Sequence, residues 1–172
     1  MTSKKKNSGG RIFVGLALVV TLAMIIFVPT QSKADVLAAS TNVNQKVFTD
    51  SAKHYLPING SKTTLTFTTT TANQRVVVLF NAECSVKSSD HYTYVDTDIM
   101  IDGVIAPPST SDNALCTSDG SNLPANWVSA STNVVRVVPA AGVHTLKVRV
   151  SLKNFTSGEQ YWIDDISVIV MK

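Results

Sequence analysis

Three aspartates close together in the sequence are the strongest candidates for chemistry. Asp96, Asp98 and Asp102 share one parity of an alternating stretch, so in a β-strand their side chains point to the same face. Carboxylate oxygens are the ligands that Ca²⁺ prefers, which makes Asp96 and Asp98 a predicted calcium site. A close carboxylate pair could also act in glycoside hydrolysis. The interpretation favoured over both is an exposed acidic face that keeps the protein soluble and discourages strand pairing.

Aromatic residues accompany these carboxylates. A tyrosine ring beside an aspartate can stack on a sugar while the carboxylate accepts the sugar's hydroxyl groups. A second candidate site combines a tryptophan with Asp164 and Asp165, although the apolar parity shifts across this pair, which alternatively indicates a β-bulge. The predicted ligand-binding residues are Tyr92, Tyr94, Asp96, Asp98, Asp102, Trp162, Asp164 and Asp165.

The sequence contains no recognisable pairing of a nucleophile with a base. It has no Gly-x-Ser-x-Gly elbow, no His-x-x-x-His pair and no glycine loop of the phosphate-binding type. We therefore predict that the protein is not an enzyme and needs no cofactor other than the calcium considered above. A hydrolase that uses the aspartate row is the less favoured alternative.

The N-terminal segment carries the most specific signal in the chain. Basic residues precede an uncharged apolar run at residues 12–28, and Ser32 and Ala34 are the small residues that a cleavage site requires. This pattern predicts a helical secretory signal peptide at residues 1–34. The run also reaches the lower length limit of a membrane-spanning helix, so an uncleaved membrane anchor is the alternative.

Residues 35–172 are predicted to form a single exported domain, secreted, periplasmic or extracellular, or held outside the cytoplasm by the anchor. The leader holds five of the 15 basic residues and none of the 12 acidic ones, so this domain has a net charge of −2 (10 − 12). It has no basic cluster of the kind that binds nucleic acid. Cys84 and Cys116 are the only cysteines, and an oxidising compartment favours a disulfide between them.

Alternation of apolar and polar residues predicts an all-β domain. The best core strand lies at residues 75–86, and further strands are expected at 65–71, 92–103 and 127–138, with a weaker first strand at 43–49. In the stretch 92–103 the apolar parity is expected to face the core, and the tyrosines and aspartates to face solvent. Seven or eight such strands predict a two-sheet antiparallel sandwich.

The last part of the chain contains two more strand-like runs, at residues 143–153 and 161–170, joined by a connection that contains glycine. This arrangement predicts that the two runs pair with each other as antiparallel neighbours. The segments AGVHTLKVR at 141–149 and WIDDISVIV at 162–170 resemble the closing strands of small exported bacterial jelly-roll proteins. The resemblance implies a jelly-roll-like β-sandwich and carries no catalytic residue to this chain.

Together these features predict an exported, disulfide-tied β-sandwich that binds a glycan or a protein at an extracellular surface. A structural subunit of an extracellular assembly is the alternative, and an exposed apolar face would favour it. Nucleic acid is not a predicted partner. Membrane contact is predicted only through residues 12–28, if these remain attached.

Overall fold

The structure is a computed structural model that describes residues 34–108, 112–123 and 126–172. The helical signal peptide was predicted at residues 1–34, and all of it except Ala34 lies outside the described residues. Every regular element of the described chain is a strand, and no helix there is long and apolar enough to cross a membrane. The strands are β1 Val36–Asn42, β2 Lys46–Phe48, β3 His54–Tyr55, β4 Leu65–Thr69, β5 Gln74–Lys87, β6 Tyr94–Ile101, β7 Val104–Ile105, β8 Ala114–Thr117, β9 Val128–Val138, β10 Gly142–Lys153 and β11 Gln160–Met171.

The strands form two antiparallel sheets. The first sheet has the order β1-β11-β5-β9, with β2 also paired to β11. The second sheet has the order β3-β10-β6-β7, with β4 also paired to β10 and β8 to β6. Each sheet has one inner face, turned to the other sheet, and one outer face. The predicted two-sheet antiparallel sandwich is confirmed.

The hydrophobic core lies between the two inner faces. In β5 the alternation is as predicted, because Val76, Val78 and Phe80 are buried while the intervening side chains are partly exposed. The Thr-rich strand β4 follows the same rule, with Leu65 and Phe67 buried and the threonines between and beside them mostly exposed. Burial of each such aliphatic or aromatic side chain contributes about 1.5–3 kcal/mol to folding.

The two final runs do not pair with each other, so this prediction was wrong. Strand β10 pairs with β3, β4 and β6 in the second sheet, and β11 pairs with β1, β2 and β5 in the first. The connection between them, residues 154–159, therefore crosses from one sheet to the other, a distance of about 10 Å. Alternation shows only that each strand has one buried face, and both β10 and β11 satisfy this by facing each other across the core.

The predicted first strand was placed too late in the chain. Strand β2 falls inside the predicted range 43–49, but the longer β1 precedes it and pairs with β11. Most side chains of β1 are small or polar, and only its last residue, Asn42, is fully buried. The alternation that identifies a strand is therefore weak in this edge segment.

The outer face of β6 is not the solvent-exposed acidic surface that the sequence predicted. Val95, Ile99 and Ile101 are buried in the core as expected, but Asp96 and Asp98 are also buried, with 3% and 6% of their surface exposed. Strand β6 lies inside its sheet, with β10 on one side and β7 and β8 on the other. Long side chains of β10 and the segment before β8 cover its outer face.

The disulfide between Cys84 and Cys116 is present, as predicted. Cys84 belongs to β5 in the first sheet and Cys116 to β8 in the second, so the bond joins the two sheets across one end of the core. The bond links residues 32 positions apart, and closure of a loop of this length stabilises the fold by about 3.7 kcal/mol in the chain-entropy account.

Replacement of Ile99 by alanine is expected to lower the free energy of unfolding by about 2–5 kcal/mol, because it leaves a cavity between the sheets. Urea denaturation of the purified protein measures this change. Val143→Ala on β10 is the matched control, since Val143 is 72% exposed, and its cost is expected to stay within about 0.5 kcal/mol. Equal losses in the two variants would contradict this assignment of inner and outer faces.

Candidate functional site

The predicted site residues do not come together in the fold. Tyr94, Asp96 and Asp98 share the outer face of the second sheet, whereas Tyr92 lies in the loop before β6. Asp102 lies in the turn after β6, at the end of the strand opposite to Tyr92. The remaining three, Trp162, Asp164 and Asp165, lie on β11 in the first sheet.

Asp98 is held by two cationic side chains. Its Oδ2 atom accepts hydrogen bonds from Arg149 Nε at 2.9 Å and from Lys53 Nζ at 3.3 Å. The arginine also donates through its Nη2 atom. A carboxylate with this many donors is compensated without a metal ion.

Asp96 is held by a backbone group and a lysine. Its Oδ1 atom accepts a hydrogen bond from the backbone N–H of Asn113 at 3.0 Å, and Lys153 Nζ lies 3.5 Å from Oδ2. No set of three or more His, Cys, Asp or Glu side chains could hold a metal ion in the described parts of the chain. Calcium binding by Asp96 and Asp98 stays a prediction, and their oxygens already have cationic or N–H partners.

Asp102 stabilises a turn and a buried histidine. Its Oδ2 atom lies 2.7 Å from His144 Nδ1, and its Oδ1 atom accepts the backbone N–H of Thr145 at 2.9 Å. Partial burial raises the pKa of Asp102, but these contacts outweigh burial and hold it below its ordinary value. His144 Nε2 in turn lies 3.0 Å from Thr69 Oγ1.

This chain of carboxylate, imidazole and hydroxyl has the order of a hydrolytic triad. However, only 2% of the surface of Thr69 is exposed, and its hydroxyl donates to the carbonyl oxygen of Ala140 at 3.2 Å. A substrate cannot reach this hydroxyl in the folded protein. The three residues therefore tie β4 to the turns at the end of β6 and before β10.

Asp164 and Asp165 form the predicted β-bulge. The pairing of β11 with β5 shifts register between Asp164 and Ser167, and Asp165 has a φ of 43°. The bulge lets Ile163 and Ile166 both reach the core, although they are three residues apart. Trp162 is half-buried and pairs in register with Val47 and Ser85 in the first sheet. Tyr94 lies on β6 in the second sheet.

A polar cleft of about 410 Å³ lies at the end of the sandwich where β5 ends and β11 begins. We call this the loop-end cleft. Its walls come from the loops that follow β5, β8 and β10. It is lined by Lys87, Ser89, Asn122, Thr156, Ser157, Gly158 and Glu159.

Glu159 is the buried carboxylate of the loop-end cleft, with 5% of its surface exposed. Ser88 and Thr93 donate their hydroxyls to its Oε1 atom, the latter at 3.1 Å, and the backbone N–H of Thr156 donates to Oε2 at 2.6 Å. Burial raises the pKa of Glu159, but the hydrogen bonds from Ser88 and Thr156 outweigh burial and hold it below its ordinary value. No cationic group lies within salt-bridge distance in the described chain.

The loops around the cleft are tied to one another. Asn154 Nδ2 donates to the carbonyl oxygen of Tyr92 at 2.8 Å, which joins the loop after β10 to the loop before β6. Ser118 joins the loop after β8 to the same region. The Ser118 hydroxyl donates to the carbonyl oxygen of Ser88 at 2.8 Å, and the Ser118 backbone N–H donates to the carbonyl oxygen of Thr93 at 2.8 Å. The cleft is therefore largely formed before any ligand binds.

Sequence reasoning missed Glu159 because it is a single acid in a connection of six residues. No local spacing pairs it with Ser88 or Thr93, which are about 70 positions away. The sequence signal that could have found it is the concentration of Ser, Thr and Asn residues in three loops that all lie at one end of the sandwich. That signal can be recognised only when the strand order is known, and the sequence does not define which strands are neighbours.

No protein-family model and no curated protein matches the sequence. Among solved structures, the insecticidal delta-endotoxin Cry8Ea1 from Bacillus thuringiensis has a TM-score of 0.45 and 16% identity over 75% of this chain, which spans only 20% of the toxin. The C-terminal domain of EclA, a sugar-binding protein, has a TM-score of 0.37 and 12% identity over 74% of this chain and 78% of its own. CBM35 from Paenibacillus barcinonensis has a TM-score of 0.34 and 18% identity, over 79% of this chain and 97% of the CBM35 chain. Similarity at this level does not bear on function.

The pKa of Glu159 leads to a prediction about stability and pH. Because its folded-state pKa lies below the ordinary 4.5, its carboxylate stabilises the fold fully above about pH 4.5 and loses this effect as the pH falls through the lowered pKa. Glu159→Gln is therefore expected to be less stable than the wild type near pH 7, with a difference that shrinks near pH 3. Urea denaturation at both pH values measures the difference, and an equal gap at both would contradict a stabilising carboxylate.

Proposed function

We propose that the chain is an exported, non-enzymatic β-sandwich module that binds a glycan in the loop-end cleft. The observation that carries the proposal is the composition of the cleft, whose lining is almost entirely polar and surrounds a buried carboxylate. Its volume of about 410 Å³ falls within the range of small-molecule sites, about 300–1,000 Å³.

The polar groups of the cleft suit sugar hydroxyls. Each hydroxyl can donate one hydrogen bond and accept others. Glu159 offers acceptors, and Lys87 offers donors from the same cleft. Two hydroxyls of one sugar could therefore donate to the glutamate and accept from the lysine. An apolar ligand would displace water from the Lys87 ammonium without offering it an acceptor, at a cost of about 1–3 kcal/mol.

Binding is a better account of this site than catalysis. Glycoside hydrolysis ordinarily requires two carboxyl groups about 5–9.5 Å apart on either side of the scissile bond. Glu159 is the one carboxylate among the residues that line the cleft in the described chain. Its fixed hydrogen bonds to Ser88, Thr93 and Thr156 suit an acceptor that keeps its charge rather than an acid that gives up a proton.

Tyr92 is the predicted ligand residue that fits this proposal best. It is 78% exposed, and its backbone is joined to the loop that forms the cleft wall through Asn154. A ring in that position would stack on a sugar bound next to the cleft. The disulfide supports an oxidising location, so we propose the extracellular surface or secreted milieu as the place where the module meets its glycan.

A glycan array probed with the exported protein, with and without added Ca²⁺, tests the proposal. Ser157→Trp is expected to abolish binding because a large ring at this exposed cleft residue fills the cleft. Ser131→Trp is the matched control, since Ser131 is an exposed serine on β9 that does not line the cleft, and it should bind normally. Lys87→Gln and Glu159→Gln should each weaken binding about tenfold, and Glu83→Gln on the outer face of the first sheet should not.

Equal binding by Ser157→Trp and the wild type would remove the cleft from the proposal. Binding of no glycan in either calcium condition would oppose glycan recognition altogether. Loss of binding on calcium removal, together with loss in an Asp96→Asn and Asp98→Asn variant, would instead assign recognition to the predicted calcium site.

A structural subunit of an assembly is the second candidate function, and the outer face of the first sheet favours it. Apolar side chains lie side by side across all four of its main strands. Val36, Val135 and Val137 are 60%, 45% and 49% exposed. The band consists of Val36, Ala39, Val77, Leu79, Val135, Val137, Ile169 and Met171. Such a band is a recognised mark of protein contact.

Sedimentation of the exported protein at increasing concentration tests the assembly function. Association is expected to rise with concentration if this band is an interface, and Val77→Lys combined with Val135→Lys should abolish it, because two charges would then enter the apolar contact. Thr66→Lys combined with Thr68→Lys, at exposed positions of the second sheet, is the control. A protein that stays monomeric throughout would argue against the assembly role.

A further inference from the structure

The outer face of the second sheet carries a row of cationic side chains. Lys147, Arg149 and Lys153 share the outward parity of β10, on which Ser151 is the residue between the last two. Alternate residues of a strand lie about 6.6–6.8 Å apart, so the row is about 20 Å long. Lys53, just before β3, reaches the same face, where its Nζ lies 3.3 Å from Asp98. We call these four side chains the cationic face.

The acidic partners of these cations lie beneath them. The side chains of Asp96 and Asp98 are only 4% and 8% exposed, whereas those of Lys53 and Lys153 are 48% and 36% exposed. The carboxylates therefore hold the cations in place without presenting negative charge to solvent. A partner that approaches this face meets ammonium and guanidinium groups first.

An exposed aromatic ring lies within the cationic face. Tyr55 is 42% exposed and pairs in register with Arg149. Lys147 Nζ lies 5.2 Å from the centre of its ring. The exposed part of this ring offers an apolar surface for a sugar, and the cation over one face of the ring can bind an acidic group on that sugar.

We propose that the cationic face binds an acidic polysaccharide. The ammonium groups of Lys53 and Lys147 bind carboxylates of the polymer, and one of its sugar rings stacks on Tyr55. This site lies on a sheet surface, and the proposal does not rest on the loop-end cleft. The buried aspartates, which the sequence suggested as metal ligands, position the cations instead.

The spacing of charge favours a polysaccharide over a nucleic acid. Double-stranded DNA carries one charge per about 1.7 Å of axis, far denser than cations that lie about 6.6–13.6 Å apart along β10. Residues 35–172 have a net charge of −2, which repels a dense polyanion beyond this face. At the Lys153 end of the row, Asp112 accepts the hydroxyl of Tyr94 at 3.1 Å and adds negative charge. The end beside Tyr55 is therefore the stronger site.

Affinity electrophoresis and calorimetry of the exported protein with polygalacturonate test the proposal. The wild type is expected to bind this acidic polymer at about 50 mM salt and to lose most of the binding at about 300 mM. Fully methyl-esterified polygalacturonate, which keeps the backbone but has no charge, should not bind. The combined variant Lys53→Gln and Lys147→Gln should bind about tenfold more weakly, since two contacts to carboxylates are lost.

The variants are chosen so that folding survives. Asp98 keeps both hydrogen bonds from Arg149 when Lys53 is replaced, and Lys147 has no ion pair in the described chain. Thermal unfolding verifies this, and Lys147→Glu alone provides a second variant with the same expected loss. Lys46→Gln combined with Lys62→Gln removes the same net charge away from the face and should bind within about twofold of the wild type.

Four results would overturn the proposal. These are equal binding of the acidic and the esterified polymer, equal losses in the test and control lysine variants, tighter binding of single-stranded DNA than of polygalacturonate, and no binding at low salt. None of them affects the loop-end cleft, whose own test uses Ser157→Trp.

Discussion

The packing of four strands across one core is the constraint on which the rest of this structure depends. Strands β5 and β11 of the first sheet face β6 and β10 of the second, and each contributes one apolar parity to the space between. The Cys84–Cys116 bond fixes one end of this arrangement. Because successive side chains of a strand alternate, the choice of inner residues also decides which side chains point out. The polar groups on the outer faces, including those of the cationic face, follow from that choice.

Strand β6, which lies inside its sheet, has a sheltered outer face as well as a buried inner one. Asp96 and Asp98 illustrate this, because side chains from β10 and the segment before β8 cover them. An aspartate in such a place is strongly destabilising unless it is paired, which explains the arginine and lysines around it. In these pairs the carboxylates lie close to the sheet, and the cationic groups lie farther out, toward solvent. The charge that this surface presents to solvent is therefore positive, because the cationic partner of each ion pair has the longer side chain.

The sequence was sufficient to predict the inner faces of β4, β5 and β6 and the bulge at Asp164 and Asp165, because these depend on local parity. It was also sufficient to predict the disulfide, because the chain has only two cysteines. It was not sufficient to predict which strands are neighbours. The final two runs carry the same pattern whether they pair in one sheet or face each other across the core. The predicted site residues are dispersed for a related reason, since Asp102, Asp98 and Trp162 have suitable chemistry but lie in places that only the topology defines. Glu159 could not be predicted as a site residue, because the cleft around it forms only where three separate loops meet in the fold.

The hydrogen bonds at the loop end also bear on how tightly a ligand could bind. A loop that must be ordered on binding reduces affinity, because its lost conformational freedom opposes association. Here Ser88, Thr93 and Glu159 are buried and bonded to one another, and Ser118 and Asn154 join the surrounding loops. Folding of the sandwich has already met that entropic cost. Only the exposed side chains, such as Tyr92, remain to be ordered. A preformed polar cleft of this kind gains selectivity from fixed donor and acceptor positions, since a ligand with one polar group misplaced would displace water from a donor such as Lys87 without replacing its hydrogen bond.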